Sequence, residues 1–143
     1  MKEENLVENV RENGQYLGEL LHKHLDSHPY VGNIRGRGFF WSVSIIRHQL
    51  ITLRLLKLTT IQLEFVADKK TKEPFPPSAG IASKVHSTAL NQVGISLYPG
   101  TGTKDGVNGD HALLAPAYTS TKEDVERIAE KVKEAVTRAF EKL

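Results

Sequence analysis

Four groupings of residues have types and spacings that invite a chemical reading. His22, His24 and His28 lie close together, but helix positions two apart diverge and Pro29 ends the segment, so a shared metal site is not expected. Asp110 and His111 are adjacent and form an acid/base pair on paper. No nucleophile accompanies them, and a turn before a strand accounts for them equally well. "YPGTGTKDG" follows a strand-like run as a phosphate cradle would, yet a P-loop needs Gly-Lys-Ser/Thr opening a helix. Here Gly102, Thr103 and Lys104 run on into more loop, which reads as a connection. "RGRGFF" is a single Arg-Gly copy in a β-prone setting, so Gly36 and Gly38 read as structural glycines marking a bulge or a close backbone approach, not as an RNA-binding box.

The elements that must position these residues follow from periodicity. Leu6, Val10, Leu17, Leu20, Leu21 and Leu25 recur at helical spacing, which predicts an amphipathic helix over residues 4–26. A β-prone segment with Ile34, Phe39, Phe40 and Trp41 comes next, and strand character resumes through Phe65 and Val66. Ser78 is placed to cap a helix carrying Ile81, Ala82, Val85, Ala89 and Val93, with Gly94 at its end. "ISLY" and "HALLAPAY" read as short strands. Ser120 and Glu123 stand in capping-box spacing before a last helix striped by Val125, Ile128, Ala129, Val132, Val136, Ala139 and Phe140. The order helix, strand pair, helix, strand, strand, helix predicts one α/β domain over residues 1–143, a two-layer sandwich with helices covering a small sheet.

Composition sets further bounds. The 143 residues are 39% hydrophobic and 25% charged, as in globular domains, and without cysteine there is no disulfide, thiolate metal site or cysteine nucleophile. The first residues show no secretory or transit pattern. The compartment stays open, with the cytoplasm the expected one.

One stretch departs from the rest. Val43–Gln62 has no acid, Gly or Pro, and it holds Arg47, Arg54 and Lys57; without them the chain has 16 basic against 17 acidic residues. A nucleic-acid partner is therefore not expected. The stretch is too polar to span a membrane, and its apolar residues circle the helical wheel, so no membrane partner is expected either. A surface loop of that length lacking Gly, Pro, Asn and Asp is uncommon. Val-Ser is encodable as GTAAGT, a splice donor, Ile-Gln as ATACAG, ending in an acceptor, and Leu58-Thr59 fits a branch-point-like sequence. Val43–Gln62 is expected to be a retained intron translated in frame, with "FFWS" properly continuing into "LEFV".

Taken together, "ENLVENVRENGQYL", "VGNIRGRGFFWS", "LEFVADKKTKEPF" and "YPGTGTKDGVNGDHALLAPAYTSTKEDVERI" resemble the C-terminal small domain of class-III aminotransferases, pyridoxal-phosphate enzymes of the aspartate aminotransferase superfamily (fold type I). The resemblance covers nearly the whole chain outside Val43–Gln62. It implies a homodimeric full-length protein that moves an amino group between an amine or amino acid and a keto acid. Pyridoxal 5'-phosphate would be bound mainly by a large domain, with the Schiff-base lysine outside this chain, so the fragment alone is expected to be inactive. The alternative is a stand-alone α/β interaction module. Many relatives place a carboxylate-clamping arginine three residues before the proline that corresponds to Pro116; the matching residue is Leu113, which implies another group for the carboxylate or an amine donor without one.

Overall fold

The computed structural model describes residues 2–39 and 61–141. Helix α1 spans Lys2–Leu25, followed by β1 (Val31–Arg35), β2 (Ile61–Phe65), α2 (Ile81–Thr88), β3 (Tyr98–Thr101), β4 (Asp110–Leu114) and α3 (Lys122–Phe140). The strands form one antiparallel sheet in the order β1-β2-β4-β3. Of the atypical stretch, residues 43–60 lie outside the described residues, while Ile61 and Gln62 belong to β2.

Alternation along the strands builds the core. Ile34, Leu63, Phe65, Ala112 and Leu114 turn inward and join Leu17, Leu21 and Leu25 of α1, Ile81 and Val85 of α2, and Val125, Ala129, Val132 and Val136 of α3 in one buried cluster. Each large apolar side chain fully removed from water contributes about 1.5–3 kcal/mol. Phe140 closes the end of this layer, with its ring stacked 5.0 Å from Tyr30 and tilted 5.6 Å from Phe65.

Local chemistry sets the boundaries. Thr121, not Ser120, caps α3: its hydroxyl accepts from the Asp124 amide, and the Asp124 carboxylate accepts from the Thr121 amide. The box stands one residue later than expected, and Ser120 instead lends its carbonyl to Asn9 and Asn13 of α1. Ser78 lies in a short 3-10 turn, and Gly80 precedes α2 in a left-handed conformation. The helix runs on through a π turn at Ala89–Val93 and stops at left-handed Gly94. No described helix is long and apolar enough to cross a membrane.

The sheet irregularity sits between Val31 and Asn33, at Gly32, and not at Gly36 or Gly38. Gly38 makes a close approach instead. It adopts a φ of 68° against Gly14 of α1, and a Cβ on Gly14 would stand 2.3 Å from the Gly38 Cα. Gly36 is exposed, and one turn further along α1, a Cβ on Gly18 would have nothing within 4 Å.

The two α1 glycines should therefore respond oppositely to the same substitution. Gly14→Ala should destabilise the chain by about 1–3 kcal/mol, because backbone meets backbone, whereas Gly18→Ala should stabilise it by up to about 1 kcal/mol through helix propensity. Urea unfolding of the two variants decides; equal effects would mean that α1 does not pack on Gly38 in this way.

Candidate functional site

The helices lie on one face of the sheet, and the other face carries chemistry that the core does not use. Cross-strand pairing arranges it in two rows: Arg35, Gln62, Leu113 and Tyr98 in one, and Asn33, Glu64, His111 and Gly100 in the next. Directly opposite residues share a face. Tyr98 is 71% exposed, Asn33 and Arg35 are exposed, and Gln62, Glu64, His111 and Leu113 are half-buried. Among the described residues no element covers this surface.

His111 is its most constrained member. Its Nδ1 lies 2.8 Å from the Thr103 hydroxyl, and its ring lies against Gly100 of β3, where a Cβ would come within 2.2 Å of Nε2. Glycine at 100 is thus what admits the imidazole. Burial pushes the His111 pKa down from its ordinary value, Arg35 pushes the same way, and Asp110 and Glu64 oppose them more weakly. Arg35 and Glu64 stand 3.8 Å apart on the same face.

The adjacent Asp110 does not share that face. Strand alternation turns its carboxylate inward, where it is 3% exposed and accepts from the Ala82 amide at 3.0 Å in the first turn of α2. Asp110 and His111 are therefore no acid/base pair: one carboxylate holds a helix N-terminus, and one imidazole faces outward. The buried carboxylate was the strongest feature missed in sequence, because its partner lies 28 residues away and only the register of β4 brings them together.

The loop between β3 and β4 occupies its own amides. Asp105 accepts from the Val107 and Asn108 amides at 2.9 and 2.7 Å and from the Asn108 side chain at 2.8 Å. These bonds, led by that of the Asn108 side chain, pull its carboxyl down to about 2. The amides of Thr103, Lys104 and Gly106 go to the carbonyls of Gly109, Asn108 and Gly102. Five amides of the loop are thereby engaged within it, which is the pattern of a connection and not of a phosphate cradle. The three histidines also separate: His22 meets Asp26 at 2.9 Å, His24 meets Glu130 at 3.2 Å, and the His28 ring lies against Phe140.

Leu113 is half-buried in the outer rows, and Pro116 follows β4 in the turn towards α3. None of the four described strands carries a lysine. Lys69 and Lys131 direct their ammonium groups to backbone carbonyls, and Lys104 lies by Glu73. These residues do not fit a Schiff-base site for pyridoxal phosphate, and the one buried carboxylate among the described residues already holds α2.

Comparison with known proteins adds what geometry cannot. The chain is 63% identical over 140 residues to an aminotransferase of Gibberella zeae, covering 98% of itself and 24% of that protein. It is 41% identical to an uncharacterized aminotransferase of Schizosaccharomyces pombe, covering 96% of itself and 25% of that protein. This chain is similar to one quarter of an aminotransferase. Among solved structures, a transaminase from directed evolution by ancestral reconstruction matches with a TM-score of 0.73 and 27% identity, over 99% of this chain and 25% of that one. The helix-covered antiparallel sheet thus matches in fold one quarter of that transaminase. No family model matches the chain. It spans about a quarter of the length of the curated relatives that it matches.

Two outcomes check this surface. Asp110→Ala should cost about 1–3 kcal/mol by orphaning a buried amide at the start of α2, measured by denaturant unfolding; a loss under half a kilocalorie would remove Asp110 from that role. The His111 pKa lies lower in the folded chain than in the unfolded one, so the unfolded chain binds more protons as the pH falls through 6.5. Stability from the neutral ring is complete above that value and is lost on acidification. His28 is lowered for the same leading reason, so His111→Gln should flatten part of the acid limb and leave the rest; an unchanged limb counts against a shielded His111.

Proposed function

We propose that this chain is the C-terminal small domain of a class-III, pyridoxal-phosphate-dependent transaminase, which exchanges an amino group between an amine or amino acid and a keto acid. The single observation that carries the reading is the 63% identity to a quarter of the Gibberella zeae aminotransferase. Bound to the remainder of such a protein, the cofactor would supply the carbon-bond chemistry. The residues of this chain would do something different. The rows Arg35-Gln62-Leu113-Tyr98 and Asn33-Glu64-His111-Gly100 would face the remainder of the protein, exclude water and orient the substrate. The full-length form would be a homodimer.

The chain's own residues narrow the donor. Leu113 offers no charge to a carboxylate, and Arg35 is two strands away, about 10 Å at ordinary strand spacing. Its guanidinium also lies near Glu64. This supports an amine donor without a carboxylate at that end. His111, neutral near pH 7, would present Nε2 as a hydrogen-bonding group and not as a charge.

A chimera tests the proposal: this chain replaces the matching quarter of the Gibberella zeae aminotransferase, with and without Val43–Gln62. Restored transamination in one of the two is expected, with Leu113→Arg shifting preference towards carboxylate-bearing donors. A folded, cofactor-loaded chimera that transfers no amino group would overturn the reading. As a check independent of chimera folding, borohydride reduction of the chain alone with pyridoxal phosphate should label lysines weakly and unselectively. One stoichiometric, saturable label would contradict it.

A further inference from the structure

The described strands constrain what lies between them. β1 and β2 are antiparallel neighbours, with Arg35 opposite Gln62 and Ile34 opposite Leu63, while residues 36–60 intervene in the chain. Antiparallel neighbours that are also consecutive in the chain are ordinarily joined by roughly two to five residues. The return has in fact begun early. Gly38 turns at a φ of 68° against Gly14, and Phe39, fully buried, is anchored in the core two residues before Trp41.

We infer that the working form of this chain lacks Val43–Gln62 and that Trp41 and Ser42 then occupy the β2 positions of Ile61 and Gln62. Joining Ser42 to Leu63 gives Trp-Ser-Leu-Glu-Phe, whose alternation suits a strand with Leu63 and Phe65 inward and Glu64 outward. Ile-Gln-Leu-Glu-Phe alternates in the same way, so β2 has two candidate beginnings and room for one. The connection separates them. In the joined chain, Gly36 to Phe40 link Arg35 to Trp41, a hairpin loop of ordinary length. Trp41 takes the position opposite Leu114, on the buried face, and Ser42 the position between Arg35 and Leu113, on the open face.

The chemistry of the removed segment fits its loss. Its ends are encodable as splice donor and acceptor, and it contributes three cations and no acid. Among the described residues of the open face its loss changes one position, where a serine hydroxyl replaces a glutamine amide beside Leu113. The inference stands whether or not the chain completes a transaminase, since it rests on strand register and on the length of the connection between β1 and β2.

Two measurements test it without any assay of amino transfer. Sequencing of mature transcripts should show messages that join the Ser42 codon to the Leu63 codon; messages that uniformly retain the sixty bases overturn the inference. Trp41 is the only tryptophan in the chain, so fluorescence reports its placement directly. In the shortened protein its emission should be blue-shifted and shielded from acrylamide, and Leu114→Ala should weaken that shielding. A shortened protein that is unfolded, or that folds with a solvent-exposed tryptophan, overturns the register assigned to Trp41 and Ser42.

Discussion

Every layer of this structure depends on β2 being paired on both sides. β1 flanks it on one edge and β4 on the other, and β3 reaches the sheet only through β4. Its alternation sends Leu63 and Phe65 into the core against the helices and holds Glu64 on the open face. If β2 slipped by one residue, the two faces would exchange and the core would lose two of its fully buried side chains. The open surface would then carry leucine and phenylalanine where it now carries polar groups.

β4 carries that constraint to the open face. Because it is locked to β2 with His111 opposite Glu64 and Asp110 opposite Phe65, one residue is committed to each side. Asp110 ties the sheet to α2 from within, and His111 is displayed outside by the missing side chain at Gly100. Architecture and surface chemistry thus share one register.

Much of this was legible in the sequence where the signal is local. The stripes of α1 and α3 gave both helices, and the order of elements gave the two-layer class. The loop at Asp105 was readable as a connection because glycines and an aspartate are what such a turn requires. What escaped reading depends on contacts distant in sequence. The strand at "ISLY" begins later, at Tyr98, since Leu97 is buried and its carbonyl lies 2.6 Å from His86 Nδ1. The α3 cap moved to Thr121 because Ser120 is engaged by α1. Gly38 was recognisable as a site of close approach, but its partner Gly14 sits in a helix pattern that gives no hint of it.

The central claim is that the outer face of the sheet meets the remainder of an aminotransferase and lines its substrate side. The chain has no cysteine, so Leu113→Cys introduces a unique thiol in the middle of that face, and Lys133→Cys places one on the exposed surface of α3. Thiol labelling of each variant, followed by mass spectrometry of its peptide, compares the chain alone with the same chain joined to the other three quarters of the Gibberella zeae protein. The account predicts that the thiol at 113 reacts freely in the chain alone, slows at least tenfold in the joined protein and slows further with an amine substrate, while the thiol at 133 reacts equally in both. Equal reactivity at 113 in the chain alone and in the folded joined protein would contradict it.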